Sequence, residues 1–156
     1  MRNFYFPPFH LLNYLLIFLL SFALAFLIFS AKVQAADFDF KIDYGKSKIF
    51  SQAEMNFCIE IIKSKLEPSG CTIRNVRYAG DNFNSHKNRK YLNSLAEGRG
   101  LQKKFVKCMV FYSDFKSPPD DGKISAWNYD SEYKDWQWWF GLYKVDGEWK
   151  LLTEGY

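Results

Sequence analysis

From residue 136 onward the chain alternates without a break. Trp136, Trp138, Phe140 and Leu142 fall on one side, and Gln137, Trp139, Gly141 and Tyr143 on the other. A period of two is that of a half-buried strand. Asp146-Gly147 follows, a dipeptide suited to a two-residue type I′ hairpin turn, and Trp149, Leu151 and Thr153 alternate on the return. The C-terminus therefore predicts a two-stranded ribbon with one aromatic face turned to a core. Four of the five tryptophans lie in it, between 136 and 149.

Upstream, "FSQAEMNFCIEIIKSKLEPSG" carries the clearest helix signal. Ser51 and Glu54 form an S-x-x-E capping box, with Phe50 and Met55 at the staple positions. Met55, Cys58, Ile59, Ile62 and Leu66 make one apolar stripe, and Pro68 and Gly70 end it. Cys58 lies within the stripe and reads as a buried structural thiol. Around this helix three strands are expected. Residues 37–44 alternate Phe38, Phe40, Ile42 and Tyr44 with Asp37, Asp39, Lys41 and Asp43, either a half-buried strand or a disordered terminal segment. Residues 71–81 read as a strand whose apolar phase changes at Arg74–Asn75, which indicates a bulge or bend. Residues 105–115 are a strongly apolar strand. Between the last two runs a polar, basic stretch, where Tyr91, Leu92 and Leu95 anchor a short helix ended by Gly98 and Gly100. The loop 116–134 is long enough to be functional or flexible. A helix followed by long antiparallel strands is α+β, with the helix across a curved sheet.

The N-terminal end bears on location. Residues 1–36 contain no acid, and an apolar run extends from Leu15 to Phe29. Val33 and Ala35 satisfy the small-residue rule for cleavage after Ala35, giving a signal peptide over 1–35 and a single exported domain over 36–156. The alternative is an uncleaved N-terminal anchor, because Leu11–Ala31 matches the ~20 residues that span a bilayer. No cysteine follows the run, which excludes a lipid-anchored lipoprotein. Either way the domain is exported, to the medium or to the periplasm or cell envelope. Setting aside Arg2 and Lys32 leaves 19 Lys+Arg against 17 Asp+Glu. That balance is too even for a nucleic-acid partner. Cys58, Cys71 and Cys108 all fall in the exported part, and an odd count leaves at least one thiol without an intramolecular partner. Their pairing stays open. No C-x₂-C is present, so a zinc ribbon is excluded.

"FSQAEMNFCIEIIKSKL", "GCTIRNVRYAGD", "FYSDF", the Tyr133–Trp138 run and "EWKLLTEGY" occur in that order from Ile49 to Tyr156. Together they resemble a family of small exported bacterial proteins of unknown function, known mostly from Gram-positive bacteria. The resemblance implies a cystatin-like or nuclear-transport-factor-two-like fold, an N-terminal helix packed on a bent antiparallel sheet of four to five strands. It implies no catalytic residue. The basic 86–107 stretch and Trp139 depart from the family pattern.

Relatives of that shape enclose a pocket, for which the candidate lining is Tyr78, Tyr112, Asp114, Trp136, Trp138 and Tyr156. These side chains make either a cup for an apolar or aromatic ligand, oriented by Asp114, or a filled core with a turn at "SDF". Asp114 could pair with Asp81 or Glu54 for acid–base chemistry, though nothing in the spacing brings them together. His86 is the histidine outside the export segment, too little for a triad or a multi-His metal site. Asp120, Asp121, Asp130, Glu132 and Asp135 lack the spacing of a calcium loop. No cofactor or metal is expected. One charge asymmetry stands out: His86, Lys87, Arg89, Lys90, Arg99, Lys103, Lys104 and Lys107, opposed by Glu97. It is either a solvated helix face or a patch for an acidic protein or an anionic envelope component. The sequence thus indicates a non-enzymatic binding or interaction domain of the cell envelope. An isomerase or dehydratase of the nuclear-transport-factor-two-like kind, and an immunity or inhibitor protein, are the alternatives.

Overall fold

A computed structural model describes residues 39–101, 104–122, 126–144 and 147–156. These belong to one compact unit, Ala36–Tyr156. The expected export segment and cleavage site, Phe38, Lys103 and Asp146 lie outside the described residues. Among the described residues no helix is long and apolar enough to cross a membrane.

Helix α1 (Gln52–Leu66) forms as its local signals require. Ser51 Oγ accepts the Glu54 amide at 3.2 Å and Glu54 returns to the Ser51 amide at 2.8 Å, so the capping box closes both ways. Such a cap contributes about 1 kcal/mol. Gly70, at φ 73°, ends the short 3₁₀ turn that follows the helix. Met55, Cys58, Ile59, Ile62 and Leu66 are all buried.

The strands are β1 (Lys41–Asp43), β2 (Thr72–Tyr78), β3 (Phe105–Lys116), β4 (Glu132–Tyr143) and β5 (Trp149–Gly155). They form one open sheet of five strands in sequential order. The expected phase change in β2 is a register shift between Ile73 and Asn75. It keeps Ile73, Val76 and Tyr78 on the α1 side. Tyr143 and Glu148 close the β4–β5 connection through a 2.9 Å amide–carbonyl bond. A second irregularity, between Trp139 and Phe140, offsets the return strand. Trp149 and Leu151 face the α1 core and Leu152, the extra residue, faces the other way, so that Thr153 pairs with Trp139 and leaves the face of Leu151.

Two expectations are corrected here. The sheet is not wholly antiparallel, because β1 pairs parallel with β2. Nor is it the bent, wrapping sheet of a cystatin-like or nuclear-transport-factor-two-like fold; it is neither closed nor strongly curled. The physical reason is a second layer. Helix α2 (His86–Gly98) places Leu92 and Ala96 against Phe105, Cys108, Val110 and Leu152, on the face opposite α1. A sheet that curls around one helix leaves its outer face to water, whereas this sheet carries a core on each side. The architecture remains α+β, with an antiparallel-dominant mixed sheet between two helices.

The long loop after β3 is held at its root. Ser117, buried, donates its hydroxyl to the Asn128 carbonyl at 2.5 Å and accepts the Ser131 amide at 2.9 Å. The loop thereby lays Trp127 against Phe115, with ring centroids 4.9 Å apart. At the far edge of the sheet, Arg99 donates to the Leu152 carbonyl of β5, and Lys65 lies 3.7 Å from Glu154.

Candidate functional site

Strand β3 outlasts its neighbour: β2 pairs with it only from Phe111 to Lys116. The first residues of β3 consequently have no strand on that side, and backbone groups left unpaired there would be costly. Two asparagines take the missing strand's place. Asn93 Nδ2 donates to the Phe105 carbonyl at 3.0 Å, and the Phe105 amide donates to Asn93 Oδ1 at 2.8 Å. Asn84 Oδ1 accepts the Cys108 amide at 2.9 Å. Helix α2, capped by Ser85 on the Asn88 amide at 3.1 Å, is thereby bound to the start of β3.

A groove of about 840 Å³ runs along this junction. One wall is a flank of α2, where His86, Arg89, Lys90, Asn93 and Glu97 fall at helical spacing. Leu101, Lys104 and Val106 make up the other side. The cationic set expected for a partner thus divides. Arg89, Lys90 and Lys104 share the groove, while Lys87 does not line it and Arg99 is bonded to β5. Arg89 also donates to the Asn84 carbonyl, which fixes its guanidinium at the wall. Lys107 turns to the α1 side, 3.9 Å from Glu54.

The six candidates for an aromatic cup occupy different places. Trp138 is 0% exposed and its indole N–H donates to Ser113 Oγ at 2.7 Å, so packed atoms surround it. Tyr78 is buried near Phe50 and Phe111 and donates to Asp81 Oδ1 at 2.8 Å. Burial first, and then the Asp81 carboxylate, push the Tyr78 phenol far above its usual range. Trp136 and Tyr156 sit together, centroids 4.9 Å apart, with Tyr156 79% exposed. The Trp136 indole nitrogen is buried without a partner among the described residues. Tyr112 projects to the α2 side, edge-on to Phe83 and beneath the Arg77 guanidinium at 4.5 Å. Asp114 accepts from Asn75 Nδ2 at 2.8 Å and from the Asp135 amide at 2.9 Å. Partial burial works to raise its pKa, but these two donors with Arg77 and Lys134 outweigh that and hold it below the usual value.

The carboxylates considered for acid–base work each have other engagements. Asp81 accepts from Ser47 Oγ at 2.6 Å and from the Lys48 amide at 2.8 Å as well as from Tyr78. It ties the segment before α1 to the end of β2. Glu54 caps α1. All three cysteines are buried free thiols. Burial raises each thiol's pKa, Cys108 up to about 12. Among the described residues no group of three or more His, Cys, Asp or Glu could hold a metal ion.

Sequence reasoning missed Asn84 and Asn93, which looked like ordinary polar residues of a basic stretch. It set His86 aside as too little for a triad or a metal site; His86 opens α2 and lines the groove. Helical spacing from Ser85 onward was the one available signal. Compared with protein-family models, with curated proteins and with solved structures, the chain matches none.

Proposed function

We propose that the 36–156 unit is a non-enzymatic binding domain of the cell envelope, and that the α2–β3 groove receives a compact anionic group. One observation carries this reading. Arg89 and Lys90 from α2 and Lys104 from just before β3 line one groove together with His86. Like charges crowded on a concave surface concentrate field there and draw a counter-ion. Glu97, at the same wall, opposes them. It disfavours a ligand that carries charge along its whole length, such as a polyanionic polymer.

The test is a titration of the full chain with inorganic pyrophosphate, followed by amide chemical shifts. Shifts should centre on residues 86–97 and 104–106 and weaken as salt rises. The pair Lys90→Glu and Lys104→Glu should abolish them, while Lys46→Glu, an exposed lysine elsewhere, should not. Shifts spread evenly over the lysines, or unaffected by the double change, would refute the site.

A further inference from the structure

The groove contains more than charge. Leu101 and Val106 line it and are 40% and 38% exposed, an apolar surface left in water beside the cations. Its volume of about 840 Å³ falls within the ~300–1,000 Å³ of sites for small organic ligands. Asn93, bonded to both backbone groups of Phe105, holds the two walls in register without a ligand. Such a preformed cleft suits a molecule with one charged end and an apolar body. Only that combination uses the cations, covers Leu101 and Val106, and avoids placing further negative charge near Glu97.

Resting on the anion-site reading, we propose that the occupant is a single-chain anionic amphiphile. Its phosphate or carboxylate head is held by Arg89, Lys90 and Lys104, and its alkyl chain lies over Leu101 and Val106. Arg89 retains donors for this purpose, since a guanidinium has five N–H groups and the bond to Asn84 uses one nitrogen. An acyl chain resting in an open groove is about half covered. Each added CH₂ then tightens binding about twofold, against the ~fourfold of complete burial.

The experiment compares ethyl, butyl and octyl phosphate, each below its micelle concentration. The full chain is held in nanodiscs of neutral lipid, with empty nanodiscs run in parallel to subtract partition into the disc, and the Leu101→Ser/Val106→Ser chain is measured in the same way. About 60-fold tighter binding of octyl than of ethyl phosphate is expected for the native groove, from six added methylenes. The serine variant should bind ethyl phosphate unchanged and lose the dependence on chain length. Equal affinity for ethyl and octyl phosphate would overturn the amphiphile and leave the anion site standing. Failure of both to bind would overturn both readings. Octyl glucoside binding as tightly as octyl phosphate would overturn the role of the cations.

Discussion

Replacing Asn93 by alanine tests the idea that a side chain serves as the missing neighbour of β3. The change removes three hydrogen bonds: Nδ2 to the Arg89 carbonyl at 2.8 Å, Nδ2 to the Phe105 carbonyl at 3.0 Å, and the Phe105 amide to Oδ1 at 2.8 Å. A hydrogen bond contributes about 0.5–1.5 kcal/mol net, and a buried group left unpaired costs about 1–3 kcal/mol. Phe105 is 2% exposed and Asn93 is half-buried. Water therefore reaches part of the gap, and only one of the two orphaned Phe105 groups is charged the full penalty. The expected loss is about 2–4 kcal/mol in urea unfolding. Asn93→Asp is the informative companion. It keeps an acceptor for the Phe105 amide but sets a carboxylate against the Phe105 carbonyl, so it should be no better than alanine. Hydrogen exchange should quicken at Phe105 before it does in α1, because the damage is local. A loss under about 0.5 kcal/mol, the scale of neutral surface changes, would mean that asparagine is not substituting for a strand.

Gly141→Ala would place a Cβ 2.5 Å from the Phe105 ring; overpacking of this kind should cost about 1–3 kcal/mol in thermal or urea unfolding. The three buried thiols should resist iodoacetamide at about pH 8 in the folded protein and all react once urea unfolds it; a disulfide found by mass spectrometry would contradict that. Asp81 is held below its usual value of 3.8, first by the Ser47 hydroxyl and then by the Lys48 amide. A depressed carboxylate stabilises the fold above its unfolded pKa and loses that contribution as pH falls through its folded one. The urea midpoint should therefore drop below about pH 4, and Asp81→Asn should flatten that drop.

What was legible in the sequence was local. The Ser51–Glu54 box, the α1 stripe and the Trp136–Leu142 alternation depend on neighbours within one turn or one pleat. The β2 phase change at Arg74–Asn75 is likewise visible as a break in period. What escaped depends on partners far along the chain. Nothing in "KID" tells a parallel edge strand from an antiparallel one, since both alternate. Trp139 and Tyr143 looked like the exterior of a one-sided ribbon because their cover, Phe83 and Leu92 among it, belongs to a stretch dominated by charge. The element order and the resemblance gave a sheet bent around α1, with no second layer assigned to the short helix that Tyr91, Leu92 and Leu95 anchor. The basic residues were legible as a set but not as a site. Lys90 and Lys87 are three apart, yet the helix turns Lys90 into the groove and leaves Lys87 outside it.

The bond from Arg99 to Leu152 has a meaning for the chain in company with its own copies. An outermost strand exposes a row of backbone donors and acceptors on which any passing extended segment can add itself, and repeated addition is how fibrils grow. At this border one carbonyl already accepts from a guanidinium, and the charge pair Lys65–Glu154 stands beside it. An incoming strand would have to strip away the Arg99 bond and bury charge before its second rung could form. The opposite border is only three residues long, Lys41–Asp43, too short to template a stable ribbon. Among the described residues, the two borders of a sheet rich in β-forming aromatics are thus poor templates for an added strand.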